Sequence, residues 1–403
     1  MIKYSFTWIL LAVFAISCER EMSSEQSDSF VKFYGNYLLD EAGDVEVLTN
    51  GGYAICGTET SGSGGKRMVL ILTDRFGNVQ NGFPKYYTEE GLDAGGTSLI
   101  ALQGGSDGFF ISGYVEKPVA GSPDVQKDIF IVRTSANGDT IWQRSYGSVK
   151  DEHILHAIEK IGSGYMLAGY RGREGATDLL VMGVTADGDS IKLGLNYNNP
   201  YARNSAANYL LKSGNMYLCA CTFDQVNGEG TTIQILTFDD ELSPLARNLS
   251  GEFDEQGMCI LEEGAGQFLV LGNRLQNRQL ASGGSDMVMY GIETDGLLIT
   301  GSSLLATISD GNAVLSGKKI IETTSGNLVI VGTREVNSNP EILLQFVSAT
   351  HQAEEQVTFG AAGSQTGKDI ELSRDGGFVL LGTNSDGVNS MISLLKTNAA
   401  GDI

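Results

Sequence analysis

The sequence predicts an all-β protein built as a seven-bladed β-propeller, on three observations. A motif made of a glycine turn and an apolar strand occurs seven times within 403 residues. No segment has the apolar periodicity of a long helix, and 53 glycines with six prolines suit many short strands joined by tight turns. The last unit lacks an outer strand that the N-terminal segment can supply. Four-stranded units at a near-constant period are typical of propeller blades.

The repeat sets the number of blades. The final positions of the seven motifs step by 56, 56, 52, 51, 60 and 50 residues and are Gly57, Gly113, Gly169, Cys221, Gly272, Gly332 and Gly382. Each motif is followed by a second apolar strand and a turn, as in residues 128–133 before residues 136–139. Asn-Gly and Asp-Gly in such turns supply the positive φ values of two-residue hairpins. With one strand before the motif and one after the turn, each unit contains four antiparallel strands.

The two ends of the chain are expected to complete one blade. The final residues 401–403 match residues 138–140, so the last unit lacks its outermost strand. Residues 30–35 align with residues 142–147, which form that strand in the second unit. We therefore expect residues 30–35 to pair with residues 391–396. This N-terminal strand would close the last blade and cover the open edge of its sheet.

The first 17 residues have the pattern of an export signal. Lys3 precedes an apolar run over residues 8–16, which is shorter than the roughly 20 residues that span a bilayer. The run ends at Ala15-Ile16-Ser17-Cys18, and this junction resembles the lipobox of bacterial lipoproteins. The resemblance implies a signal peptide at residues 1–17 and acylation, such as palmitate, at Cys18. A secretory signal with a chance cysteine is the alternative.

Residues 18–29 are predicted to form the acylated cysteine and a flexible tether, and residues 30–403 the propeller. The acids of the tether resemble surface-export signals of Bacteroidota lipoproteins. The unit itself (Gly-Gly-Tyr, an Asp-led strand, Gly-Asp, Trp and Tyr-Gly) resembles a tandem repeat of secreted Bacteroidota and archaeal proteins. These resemblances imply a lipid-anchored protein of the outer membrane, exposed at the cell surface, with the periplasmic side as the alternative.

The charge and the cysteines restrict the partners. Without residues 1–17 the chain has 26 basic and 49 acidic residues and a formal charge of −23. Such a surface repels phosphate backbones, so we expect no nucleic-acid partner. Four further cysteines lie in apolar strands, which favours buried thiols; a disulfide between Cys259 and either Cys219 or Cys221 remains an alternative. The histidines do not lie at ligand spacing from the cysteines, and we expect no metal or other cofactor.

The long loops that follow the glycine motifs or connect the units should share one face of the disc, here called the loop face. The tight glycine turns should share the opposite face, the turn face. Long loops commonly carry function, so residues 114–127, 170–174, 196–205 and 273–285 are the candidate binding loops. The candidate binding residues are Tyr114, Asp151, Glu152, Tyr170, Arg171, Arg173, Asp254 and Glu255.

Acids recur between the units, at Asp40-Glu41, Glu89-Glu90, Asp93, Asp151-Glu152 and Asp254-Glu255. A ring of carboxylates can hold calcium or a basic peptide, but no loop has the alternating carboxylates of a calcium loop. The alternative is that these acids cap turns by accepting backbone N–H groups, and recur because the unit recurs.

The sequence predicts no nucleophile elbow between a strand and a helix, and no phosphate-binding loop before a helix. His153 and His156 lie where a loop enters an inner strand, so a proton-transfer role facing the channel is a hypothesis. The sequence favours a non-catalytic lipoprotein that acts as a binding or accessory subunit, with a protein partner in the outer membrane. The alternative is a carbohydrate-binding module or carbohydrate-active enzyme that uses the loop face.

Overall fold

The computed structural model describes residues 28–173, 176–192, 205–224, 230–241, 244–249, 254–275, 285–311 and 313–403. Within these ranges the chain forms seven four-stranded antiparallel sheets. Consecutive strands pair within each sheet, except that Phe30–Leu38 pairs with the last strand, Ser390–Lys396. The predicted seven-bladed propeller is therefore confirmed. The described ranges contain no helix that is both long and apolar enough to cross a membrane.

The strands are numbered in chain order. The first strand of the described residues is β1 (Phe30–Leu38), which belongs to the last blade. Blades one to three are β2 (Glu41–Val47), β3 (Tyr53–Thr60), β4 (Lys66–Thr73), β5 (Lys85–Tyr87); β6 (Ala94–Ala101), β7 (Phe109–Pro118), β8 (Val125–Thr134), β9 (Thr140–Tyr146); and β10 (Glu152–Glu159), β11 (Tyr165–Arg173), β12 (Ala176–Val184), β13 (Ser190–Lys192). A 3-10 helix (Leu102–Gly105) follows β6.

Blades four to seven continue the same order. They are β14 (Ala206–Ser213), β15 (Met216–Asp224), β16 (Thr231–Phe238), β17 (Leu245–Asn248); β18 (Asp254–Gly264), β19 (Gln267–Leu275), β20 (Ser285–Asp295), β21 (Leu298–Ile308); β22 (Val314–Glu322), β23 (Leu328–Val336), β24 (Asn339–Val347), β25 (Ala353–Phe359); and β26 (Ser364–Leu372), β27 (Phe378–Ser385), β28 (Ser390–Lys396).

The N-terminal strand closes the ring as the sequence predicts. β1 pairs antiparallel with β28, with Phe30 opposite Lys396 and Tyr34 opposite Ile392. Tyr34 is buried, and its hydroxyl donates a hydrogen bond of 2.8 Å to the carbonyl of Gly77 in the first blade. The closing strand therefore completes the seventh sheet and also joins it to the first.

The blades are held together by apolar packing between their faces. The buried apolar side chains of the described residues form seven clusters, one between each pair of neighbouring blades. Between the second and third blades, Phe110 stacks on Tyr165 with ring centroids 3.8 Å apart. Fully burying a large apolar side chain contributes about 1.5–3 kcal/mol. Each blade therefore buries both of its faces against its neighbours, and the apolar core continues around the ring.

The recurring glycine is the last position of the sequence motif but does not end its strand. β11 continues for four residues beyond Gly169 and ends at Arg173. A Cβ atom on Gly169 would lie 1.8 Å from the carbonyl oxygen of His153 on the innermost strand. This glycine recurs because it faces the point where the innermost strand bulges toward its neighbour. In the fourth blade Cys221 occupies the position, and the bulge is retained.

Candidate functional site

Each innermost strand has a β-bulge at the corresponding position, and these seven bulges surround the central channel. The residues within the register shifts are Gly43, Thr97, Leu155, Asn208, Met258, Lys318 and Lys368. The innermost strands run from the loop face to the turn face, so the bulges lie toward the loop face. An extra residue in a bulge changes the direction of nearby side chains, and the bulge residues line a cavity of about 230 Å³.

Two lysines stand at this mouth of the channel. Lys318 is half-buried and Lys368 is exposed. Neither ammonium group forms a salt bridge with a carboxylate of the described residues. Burial lowers the pKa of Lys318, and the nearby Lys368 ammonium lowers it further. The mouth is therefore locally positive although the whole chain carries a formal charge of −22.

A cluster of charged groups lies one residue deeper in the channel. Lys319 Nζ lies 2.8 Å from Asp369 Oδ1 and 2.6 Å from Glu371 Oε1. Burial alone would raise the pKa of Asp369, but the Lys319 ammonium and a hydrogen bond from Asp44 hold that pKa below its usual range. Burial, and then the Asp369 charge, raise the pKa of Asp44 well above its usual range. The two carboxyl groups therefore have pKa shifts of opposite sign, raised for Asp44 and lowered for Asp369.

This cluster is bonded to the backbone around it. Asp44 Oδ2 accepts hydrogen bonds from Ser98 Oγ at 3.1 Å and from the Leu99 N–H at 2.8 Å. Asp369 Oδ2 accepts one from the Val45 N–H at 3.1 Å. These contacts connect the seventh, first and second blades at the axis. Asp44 and Asp369 are therefore satisfied buried groups in a polar network that links neighbouring blades.

A second cavity, of about 460 Å³, lies on the turn-face side of the cluster. Glu46, Glu159, Lys212 and Glu371 are among its lining residues. Burial and the neighbouring Glu371 raise the pKa of Glu46 to about 8. Four residues line both cavities, namely Asp44, His156, Tyr209 and Lys319. The charged cluster therefore divides the channel into two parts.

The two candidate histidines differ in position. His156 lines the channel and stacks on Tyr209, with ring centroids 4.0 Å apart. Its Nδ1 accepts the Leu210 N–H at 3.2 Å, and burial lowers the pKa of His156 to about 3. His153 instead stacks on Tyr170 at 4.5 Å, and burial lowers its pKa to about 4. Both rings are neutral at pH 7, and only His156 is placed in the channel as the sequence suggested.

The predicted inter-unit acids act as caps and ion-pair partners. Asp151 and Asp254 accept the N–H groups of Lys127 and Thr231, at 3.1 and 2.8 Å, and so connect each inter-blade loop to the preceding blade. Asp93 does the same for the Lys66 N–H at 3.0 Å, and Asp40 accepts the N–H of Thr60 at 2.8 Å. These contacts match the structural interpretation of the acids.

The two predicted glutamates are buried. Glu255 has no exposed surface and forms a 2.7 Å ion pair with Arg274, while the Tyr290 hydroxyl donates to it. Glu152 is buried and accepts the Ser148 hydroxyl and N–H groups. Burial raises the pKa of Glu152. Neither carboxylate is presented at the surface.

The other candidate binding residues lie at strand ends. Tyr114 is buried beneath the Lys127 ammonium, which lies 4.1 Å from its ring centroid, and burial raises its pKa to about 12. Tyr170 lines a loop-face cavity of about 450 Å³ that shares Asn208, Met258 and Lys318 with the channel mouth. Arg171 lies 4.0 Å from Asp178. Arg173, whose side chain is 62% exposed, pairs with Asp151 at 3.4 Å and is the candidate most available to a partner.

The candidate loops are shorter than predicted where the structure describes them. β7 continues to Pro118 and β8 begins at Val125, so only residues 119–124 connect these two strands. Residues 170–173 belong to β11, and most of 196–205 and 273–285 lies outside the described residues. Cys18, the predicted lipid attachment site, also lies outside them.

The four described cysteines are reduced. Cys56, Cys219, Cys221 and Cys259 are all buried, and the closest sulfur pair, Cys219 and Cys221, is 3.5 Å apart. A disulfide requires about 2.05 Å between sulfurs, so the alternative pairing with Cys259 is not formed. Burial raises the pKa of Cys259 to about 11. In the described part of the chain, no group of three His, Cys, Asp or Glu residues is arranged to hold a metal ion.

The channel residues Asp44, Lys318, Lys319, Lys368 and Asp369 were not candidates in the sequence analysis. A sequence signal for them exists, because each bulge residue lies 13–16 positions before the final residue of its motif, which is glycine in six blades and Cys221 in the fourth. Counting back from each glycine selects one channel-facing position per blade. What the count leaves open is which of these seven residues approach one another.

Solved structures support the fold class. The chain is similar to the extracellular domains 1-2 of Drosophila Semaphorin 1a, at 9% identity and TM-score 0.50 over 91% of this chain and 88% of that chain. It is also similar to the Penicillium chrysogenum alpha-L-arabinanase complexed with arabinobiose, at 10% identity and TM-score 0.50 over 93% of this chain and 99% of that chain. No protein-family model and no curated protein sequence matches the chain. Similarity at this level of identity shows a shared propeller fold and nothing about activity.

Proposed function

We propose that this protein is a lipid-anchored lipoprotein of the cell envelope that acts without catalysis, as a binding or accessory subunit, and that it binds at the loop-face mouth of its channel. The observation that carries the binding role is the cavity at this mouth, where Lys318 and Lys368 have no carboxylate partner among the described residues. Concave sites with a few convergent polar groups are the usual form of binding sites.

The arrangement of the carboxyl groups favours binding over glycoside hydrolysis. Asp44 and Asp369 lie close enough for each to shift the pKa of the other, and both already accept hydrogen bonds from the backbone. The two carboxyl groups of a retaining glycosidase are about 5–5.5 Å apart, and those of an inverting enzyme about 6.5–9.5 Å. One observation supports a carbohydrate-binding role: the aromatic side chain of Tyr170 lines the loop-face cavity.

The lipid anchor is tested by the variant Cys18→Ala. The junction at Cys18 and the short apolar run before it motivate the assignment. A diacylated cysteine buries many methylene groups, each contributing about 0.8 kcal/mol. We expect the variant to leave the membrane fraction of its native host while wild type stays in it. A variant that remains wholly in washed membranes would contradict the lipid anchor.

The binding role is tested by recovery of partners in mild detergent, followed by mass spectrometry. Arg173→Glu reverses an exposed charge on the loop face, and Arg75→Glu is the matched control on the turn face, where Arg75 is exposed. We expect wild type and Arg75→Glu to recover a protein partner in equal yield. Arg173→Glu should recover less of that partner. If neither variant changes the yield, or the control lowers it, the partner does not bind at the loop face.

A further inference from the structure

The mouth of the channel combines a charged side and an apolar side. Lys318 and Lys368 are bulge residues of β22 and β26, the innermost strands of adjacent blades. Leu155 and Met258, from the third and fifth blades, line the same cavity of about 230 Å³. The cavity therefore offers two neighbouring cations and an apolar wall to one small group.

The charge at this mouth is not neutralised by the cluster below it. The Lys319 ammonium is satisfied by Asp369 and Glu371, at 2.8 and 2.6 Å. Asp44 is the remaining acid among the described residues of the cavity lining, and burial and the adjacent Asp369 raise its pKa well above the usual range. Two positive charges in a partly desolvated site are stabilised by an anion that reaches both of them.

The backbone around the lysines restricts the kind of anion. Phosphate sites commonly add free backbone N–H groups or arginines to their lysines. Here the N–H groups of Gly317 and Gly367 already donate to Asn273 Oδ1 at 2.8 Å and to Thr333 Oγ1 at 3.1 Å. Among the residues that the structure describes, no arginine lines the cavity. Two point charges beside an apolar wall suit a singly charged group on a carbon skeleton.

We propose that Lys318 and Lys368 form a binding site for a carboxylate group at the loop-face mouth of the channel. The carboxylate belongs either to a small sugar acid or to the C-terminus of a peptide, since both present the same group on a carbon skeleton. This inference rests on the proposed function, because it names the chemistry that the same mouth recognises.

The experiment is calorimetric titration of the full-length protein in mild detergent with matched acid and neutral probes. The sugar pair is D-glucuronate and D-glucose, and the peptide pair is N-acetyl-alanyl-alanine and its C-terminal amide. We expect at least one acid to bind at least tenfold more tightly than its neutral counterpart, and the pair that responds identifies the source. Inorganic phosphate is a further probe and should bind more weakly than that acid.

The variants connect binding to the two lysines. Lys318→Met combined with Lys368→Met should weaken binding of the acid at least tenfold. Lys368→Met alone, at an exposed position, should weaken it without disturbing the packing. Lys212→Met, at the turn-face end of the same channel, is the matched control and should bind as wild type does.

The proposal is overturned if neither acid is preferred over its neutral counterpart, if phosphate binds as tightly as the acids, or if the double variant retains wild-type affinity. Recovery of a protein partner is measured separately, so failure of these titrations leaves the proposed binding subunit intact. Failure of the partner recovery alone would leave the carboxylate site intact.

Discussion

Replacing Lys319 with methionine removes the single cation of the buried cluster and should strongly destabilise the fold. The side chain of Lys319 is 16% exposed and that of its partner Asp369 is 7% exposed, so solvent screens the pair only weakly. Removing one partner of a buried ion pair typically costs about 3–5 kcal/mol, because the other charge remains buried. We expect a loss of this size in the free energy of unfolding at pH 7, measured by denaturant titration of the detergent-purified protein.

The pH dependence of this loss identifies its cause. In wild type the pKa of Asp369 is lower in the folded state than in the unfolded state, where it is about 3.9. The ionised carboxylate therefore stabilises the fold above about pH 3.9, and this stabilisation is lost as the pH falls through the folded pKa. Without Lys319, burial should raise the folded pKa, and stability is then lost as the pH rises above about 4. The deficit of the variant should therefore shrink between pH 7 and pH 5.

Two further variants serve as controls. Lys319→Met combined with Asp369→Asn removes both charges and should recover most of the loss. Lys212→Met changes an exposed lysine and should stay within about 0.5 kcal/mol of wild type. A Lys319→Met protein that equals wild type at pH 7, or whose deficit grows on acidification, would refute the assignment of a buried ion pair.

Three other predictions follow from the same structure. Burial raises the folded pKa of Glu46 to about 8, so this side chain destabilises the fold increasingly as the pH rises above about 4.5. Glu46→Gln should therefore be more stable than wild type at pH 8 and equal to it near pH 4.5. Equal denaturation midpoints at pH 8 would contradict this. Deleting residues 19–36 should lower the thermal midpoint and cause aggregation, because β28 loses its pairing with β1. Deleting residues 19–27 should have little effect. Indistinguishable thermal melts of the two deletion variants would refute ring closure by β1. In Cys18→Ala, the four buried thiols should react with maleimide only in denaturant, and rapid labelling of the native protein would be inconsistent with their burial.

The sequence alone determined the architecture because the repeat is local. Each unit carries its own turn glycines and alternating strands, so seven copies predict seven sheets without knowledge of any long-range contact. Closure by residues 30–35 followed from the same logic, since the strand missing from the last unit has its counterpart in residues 142–147. The seven sheets and the pairing of β1 with β28 agree with that reasoning.

The tertiary structure decided the chemistry of the site. Asp44 and Asp369 are separated by most of the chain, yet ring closure makes them neighbours and shifts their pKa values in opposite directions. Arg173 and Glu255 look alike in the sequence, as charged residues near loops, but one is exposed and the other fully buried. A repeat predicts where each residue stands within its own blade. Only the closed ring determines which residues of different blades meet at the axis, and burial there determines which of them keep their charge.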